Sequence, residues 1–412
     1  MHFEGSSMKR VQNWKALLSP ASVYILIVSV LMLYAAVVLY QFFPNMYTWE
    51  ELFINYEGGF IRRGLIGQML LLADRVIPIP ICYLVLYVVS FYAFLYFSHK
   101  KLSSAFDPIV VTFLFISPVI FLLPVTDRYV FARKDLFIEI ILLCITQVCI
   151  TCLAKKNSSL YKNTFLISIL FILGMLIHEM TIFYFPLFAV LLGVAYAREK
   201  KVFQWLCITG VLFSISLLFV VIFSGDADMR EAICASWRQN HPELTCKRAL
   251  RFIGVSFYDN AKISFGHHMN PITMGSVVLG FLLSALPVFF LWKAYRPREA
   301  IRGLLSSSLA LRLSFWPAAF APFILSSFAN DFGRHVSVAL LSYLFFLYAV
   351  VSVRPQPAAP WLNKLKEALF ASPRLRCAAY LFAIAYGLGW RMLAHQPPGE
   401  SYLIPGVLFH LQ

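Results

Sequence analysis

The chain has 412 residues, 60% of them hydrophobic and only 13% charged. Apolar runs of about 20 residues recur along it, which excludes a soluble globular protein and leaves an all-α, polytopic transmembrane helical bundle. The net charge of +15 comes with no zinc-finger spacing, Walker loop or dinucleotide fingerprint, so no nucleic-acid partner is expected.

Lys9, Arg10 and Lys15 stand ahead of an apolar run from about Ala21 to Phe43. The run is too long for the apolar core of a signal peptide, and no small-residue cleavage site follows it. It predicts a first span with the N-terminus in the cytoplasm. Ten more spans are predicted near Pro78–Phe97, Pro108–Val125, Leu136–Ala154, Tyr161–Ile177, Thr181–Ala197, Val202–Phe223, Pro271–Lys293, Ser306–Phe328, His335–Val353 and Cys377–Leu393. Arg354–Arg376, Pro-rich and then basic, reads as a linker lying on the surface. The whole chain, residues 1–412, reads as one integral membrane domain.

Eleven spans put alternate loops on alternate sides of the bilayer. The side that carries the N-terminus then holds 21 of the 35 Lys and Arg but only 5 of the 20 Asp and Glu. The other side holds 14 bases and 15 acids. Basic loops stay in the cytoplasm, so the excess positive charge reports topology and not a ligand.

The residues with chemical potential fall on the opposite, external side. The first external segment, Trp49 to Gln68, reads WEELFINYEGGFIRRGLIGQ. It supplies Glu50, Glu51 and Glu57 as catalytic candidates and the adjacent Arg62 and Arg63 as phosphate-binding candidates. Paired guanidinium forks match phosphate oxygens, and a nearby carboxylate can take a proton. Gly58 and Gly59 let the chain turn, and Gly64 is placed to open a short helix whose N-terminus adds partial positive charge. The alternative is an amphipathic interfacial segment whose charges neutralise one another.

The second external segment, TDRYVFARKD from Thr126 to Asp135, adds Arg133 and Lys134 as phosphate-binding candidates, with Arg128 beside them. The alternative is that these bases simply pair with Asp127 and Asp135, which is the reading for Asp127; Glu139 follows one turn into the next helix. The third is a tight hairpin at His178–Glu179. Ionisable residues that interrupt an apolar stretch face a cavity or a partner, which makes both catalytic candidates. A His–Glu hydrogen bond that only caps the hairpin is the alternative, and HEMTI lacks the second histidine of a zinc-protease motif. The fifth segment, NDFGRH from Asn330 to His335, makes Asp331 the N-cap of the tenth helix and turns Arg334 and His335 inward as further phosphate contacts.

The fourth segment, Ser224 to Asn270, is the only one long enough for a small subdomain, residues 224–270. Cys234 and Cys246 are the only cysteines in an external loop, and in an oxidising compartment they predict a disulfide. His267 and His268 lie further along it. No metal-ligand spacing is present, and no metal or cofactor is expected.

This pattern resembles the bacterial envelope enzymes that act on polyprenyl-linked sugars: the O-antigen and capsule polymerases and the C-type integral membrane glycosyltransferases. The likeness covers the overall plan of a cytoplasmic N-terminus, about eleven helices and catalytic groups on external loops. Glu50 and Glu51 stand where the C-type enzymes carry key acidic residues, with glutamates in place of the usual aspartates. NYEGGFIRRGL, Asn55 to Leu65, looks like a motif of polysaccharide-cluster proteins. The resemblance implies glycosyl transfer at the external face of a bacterial inner membrane. Its donor would be a polyprenyl phosphate- or diphosphate-linked saccharide; its partners, membrane lipid and other envelope glycan-assembly proteins. A transporter or flippase is a rival class and predicts ionisable groups along a path through the membrane. An envelope acyl- or phosphoryl-transferase would use a similar basic site. No internal repeat is evident, which weighs against the transporter.

Overall fold

Inside a bilayer each backbone N–H and C=O must be satisfied within its own segment, and this chain does so with helices. The computed structural model describes residues 20–127, 130–154, 160–255, 262, 271–328, 331–392 and 403–405. In chain order the helices are α1 (Pro20–Gln41), α2 (Tyr47–Leu52), α3 (Gly64–Asp74), α4 (Ile79–Ser103), α5 (Pro108–Phe115) and α6 (Leu123–Thr126). Next come α7 (Asp135–Ala154), α8 (Leu160–Ile177), α9 (Thr181–Arg198), α10 (Val202–Ile222) and α11 (Ala227–Arg238). The rest are α12 (Pro271–Tyr295), α13 (Arg298–Leu305), α14 (Leu309–Phe328), α15 (Phe332–Val353), α16 (Pro360–Ala371) and α17 (Pro373–Leu388). A pair of three-residue antiparallel strands, β1 (Trp390–Met392) and β2 (Leu403–Pro405), closes the described part of the chain.

The molecule is an all-α polytopic membrane protein. Eight helices, α1, α4, α7, α8, α9, α10, α12 and α15, are long and apolar enough to cross a membrane, and α16 with α17 makes a ninth if that bent pair is one span. The 20 residues of α14 reach about 30 Å, the thickness of a hydrocarbon core. The His178 hairpin separates two full helices, α8 and α9, of 18 residues each.

One predicted span and one predicted linker come out differently. Pro108–Val125 is not one helix: α5 stops at Phe115, a buried turn follows, and α6 adds a single turn. The cause is Ser117–Pro118, since a residue before proline avoids helical dihedrals and proline itself donates no hydrogen bond. At the other end, Arg354–Arg376 contains the helix α16, and a second pre-proline residue, Ser372, bends the chain by 110° into α17. Of the loop predicted at residues 224–270, only 224–255 and 262 are described; His267 and His268, like Arg128 and Lys9 to Lys15, lie outside the described residues.

Helices α9 and α15 are buried along most of their length, with α7 and α14 packed against them. Helices α1 and α10 carry exposed apolar side chains such as Leu33, Phe203 and Val221, as lipid-facing helices do. The two ends are distinct. At one, Lys366 pairs with Asp107, and Ala359 N–H donates to the Ala294 carbonyl at 2.7 Å, so segments assigned to the basic side meet one another. At the other, the external segments meet and build the site.

Candidate functional site

The first external segment is pinned in place by α2. Every residue of α2 after Tyr47 is buried, and the Trp49 indole donates to the Leu39 carbonyl at 2.8 Å. Successive helical residues point about 100° apart, so Glu50 and Glu51 diverge. The Glu50 carboxylate accepts the backbone N–H groups of Lys247, Arg248 and Leu250 at 3.2, 2.7 and 3.2 Å. Burial pushes this carboxyl up, and those three N–H groups work against it. Glu50 therefore fastens the first external segment to the fourth.

That fourth segment is built around α11 and the Cys234–Cys246 disulfide, whose Cα atoms lie 6.3 Å apart. The Trp237 indole donates to the Phe53 carbonyl at 2.8 Å, and Asn55 donates to Ser236 at 3.0 Å. It forms a cap tied to the loop that carries the site.

Glu51 points the other way, into a buried ion network. Arg133 Nε lies 2.7 Å from its Oε2, while His178 Nε2 and Arg334 Nη1 each lie 3.5 Å from its Oε1. Arg133 also reaches Asp331 at 3.0 Å and sits over the Tyr47 ring, 5.0 Å from its centroid. Arg334 joins Asp331 at 3.2 Å and Asp135 at 3.6 Å. Burial alone would raise the Glu51 carboxyl, but Arg133, His178 and Arg334 hold it well below the usual carboxylate range.

A second focus adjoins the first. Helix α3 begins at Gly64, and Arg63 holds its N-cap position in the left-handed region at φ 70°. The helix presses so closely on the preceding loop that a Cβ at Gly67 would stand 2.0 Å from the Ile54 carbonyl oxygen. The Arg63 guanidinium meets both oxygens of Glu179, Nε to Oε2 at 2.6 Å and Nη2 to Oε1. Arg62 Nε stands 3.9 Å from the same carboxylate, and its backbone N–H donates to the Phe223 carbonyl at 3.0 Å. On the far side of Glu179 is His178, Nδ1 to Oε2 at 3.3 Å. His178 thus stands between two carboxylates, Glu51 and Glu179.

Lys134 lies beneath this focus, with no exposed surface, and donates to the Arg63 carbonyl at 2.7 Å. Burial pushes its ammonium down to about 7, with Glu51 and Glu179 pulling it up and Arg63 and Arg133 reinforcing the fall. His335 is buried one position beyond Arg334, its Nδ1 3.4 Å from the Tyr184 hydroxyl.

The structure thus brings Glu51, His178, Glu179, Arg62, Arg63, Arg133, Lys134, Arg334 and His335 together. It places two other candidates apart: Glu50 anchors the cap, and Glu57 is exposed, accepting from Gln68 at 3.2 Å. Asp331 holds the N-cap position of α15, but its carboxylate does not cap the helix. Two guanidinium groups within reach make stronger partners than a neutral backbone N–H. Two residues were not singled out from the sequence, Tyr47 and Tyr184, since one tyrosine among 20 carries no signal. Asp135, read as a partner for the bases of its own segment, pairs with Arg334. Among the described residues, every buried Asp, Glu, Lys, Arg and His lies in these external segments or within about one turn of them. No protein-family model, no curated protein and no solved structure matches this chain.

Proposed function

We propose that the protein is a glycosyltransferase or polysaccharide polymerase of a bacterial inner membrane. It uses a polyprenyl phosphate- or diphosphate-linked saccharide at the external face. The observation that carries this reading is the row Glu51, His178, Glu179, with imidazole to carboxylate spacings of 3.5 and 3.3 Å, set beside the accessible pair Arg62 and Arg63. The row can take a proton from an attacking hydroxyl and pass it along. The arginines can offset the charge that develops on the departing phosphate. A donor anchored in the bilayer reaches such a site by lateral diffusion. At the centre, Glu51 Oε1 is buried between His178 Nε2 and Arg334 Nη1, each 3.5 Å away.

The transport alternative needs buried ionisable groups along the depth of the membrane, and the described residues concentrate them at one end. The test is transfer by the purified full chain in liposomes, from a synthetic polyprenyl diphosphate oligosaccharide to an acceptor glycan. Glu51→Gln should lower the rate by about a hundredfold or more at unchanged protein level, the range for loss of an acid–base group. Full activity in that variant would remove the row as the catalytic centre. Transfer from an acyl or phosphoryl donor in its place would move the protein to that class.

A further inference from the structure

The four arginines of the network fall into two kinds. Arg133 and Arg334 are sealed in, with side chains 2% and 5% exposed, whereas Arg62 and Arg63 are 15% and 27% exposed. Only the second pair can meet a ligand at the membrane face. In the structure that pair is occupied, because the fork of Arg63 grips both oxygens of Glu179 and Arg62 faces one of them. Two oxygens on one centre, held by a planar fork, is also how a guanidinium takes a phosphate. Arg63 does not depend on Glu179 for its position. Its backbone is fixed in the left-handed region, with its carbonyl held by Lys134 and Gly64 opening a helix behind it.

We propose that Glu179 stands in the place of the substrate phosphate, and that an arriving polyprenyl-linked phosphate displaces it from Arg62 and Arg63 and so frees it to accept a proton. This rests on the glycosyl-transfer reading and assigns the proton acceptor within it. While paired, Glu179 is a poor base: burial favours its protonation, but Arg63, His178 and Arg62 hold it well below the usual carboxylate range. Once the phosphate has taken the arginines, His178 and the more distant Lys134 remain near it, and its basicity rises. The step then balances. The acceptor hydroxyl oxygen bonds to the anomeric carbon as the bond from that carbon to the phosphate oxygen breaks. The electron pair leaves with the phosphate, where Arg62 and Arg63 meet it, and the hydroxyl proton goes to Glu179. The base is armed only when a donor phosphate is in place.

The experiment measures binding and turnover separately in phosphatidylcholine nanodiscs holding the full chain. The probe is a fluorescent polyprenyl phosphate, with inorganic phosphate and phosphatidylglycerol as the other arms. Glu179→Gln should bind polyprenyl phosphate about tenfold tighter than the parent, since the competing anion is gone, the equivalent of one charge-assisted bond. The same variant should lose about a hundredfold in transfer. Arg63→Gln should lose binding. Inorganic phosphate and phosphatidylglycerol should bind far more weakly than the polyprenyl ligand in every protein. If Glu179→Gln does not fold, Glu179→Asp is read in its place. Its carboxylate falls one methylene short of the Arg63 fork, so it too should bind tighter than the parent. Equal or weaker binding by the folded variants overturns the exchange and leaves the glycosyl-transfer reading standing, as does undiminished transfer by Glu179→Gln. A wild-type chain that transfers sugar yet shows no response to the phosphate probe also overturns the exchange alone. No probe binding together with no transfer, in any protein, overturns the exchange and the reading beneath it.

Discussion

The two ends of this molecule use charge in opposite ways. At the basic end, Lys100, Arg198, Lys293, Arg298, Arg302, Lys364 and Arg374 are all exposed, and the ion pair there, Lys366 with Asp107, leaves the lysine 32% exposed. At the external end, Glu51, Arg133, Lys134, His178 and Arg334 are each no more than 4% exposed, and most of their partners are charged side chains. The first arrangement carries little energetic risk, because water screens each charge. The second gives up hydration and recovers it only if every partner is present. Similar residue types thus face water at one end and one another at the other, and burial separates the two arrangements.

The difference is measurable. Arg133→Met strips Glu51 and Asp331 of the nearer of the two cations they share. Breaking one side of a buried pair costs about 3–5 kcal/mol, so unfolding in detergent should show a loss of that size. A loss below about 1 kcal/mol, the range of surface pairs, would mean that the external network is as loosely held as the basic end. A second, smaller effect depends on pH. The Lys134 ammonium, pushed down to about 7 in the folded protein, returns to about 10.4 when the chain unfolds. Between those values the unfolded chain holds a proton that the folded one lacks, so stability rises with pH across that window. Below it the full cost of burying the charge is present. Lys134→Met should flatten the slope and gain most stability at or below neutral pH. An unchanged slope would place the titration elsewhere. The smallest effect is expected at the basic end. Lys366→Ala should cost less than about 1 kcal/mol, because Asp107 keeps its cap on the Ile109 N–H at 3.1 Å.

How much of this could be read beforehand differs from one residue to the next. Spans such as α7 and α10 were legible because an apolar run of sufficient length has few other uses. Counting charges on alternate loops was enough to sort the segments that meet at each end. Pro108–Val125 failed because hydropathy does not register that Ser117–Pro118 cannot continue a helix. The site was legible in outline, as ionisable residues entering apolar segments. The individual roles were not. Glu50 and Glu51 are the same residue type side by side, and what separates them is one step of helical rotation and partners far along the chain. Glu50 meets Arg248, 198 positions later, whereas Glu51 meets Arg133, 82 positions later. No local pattern encodes either distance. Asp331 was misread for the same reason: its neighbours in sequence offer a helix to cap, and its neighbours in space are two arginines.

Those separations also have a consequence for how the protein comes to exist. A chain is synthesised from its N-terminus, so Glu51 and Arg133 are delivered early and Asp331, 198 positions after Arg133, comes late. Through most of synthesis Arg133 has one carboxylate where the finished protein gives it two, and Glu51 waits for Arg334. The ion network is therefore completed in stages as segments emerge. It closes when α15 arrives, and a ribosome that stalls before residue 331 leaves a nascent chain with buried charges still lacking partners.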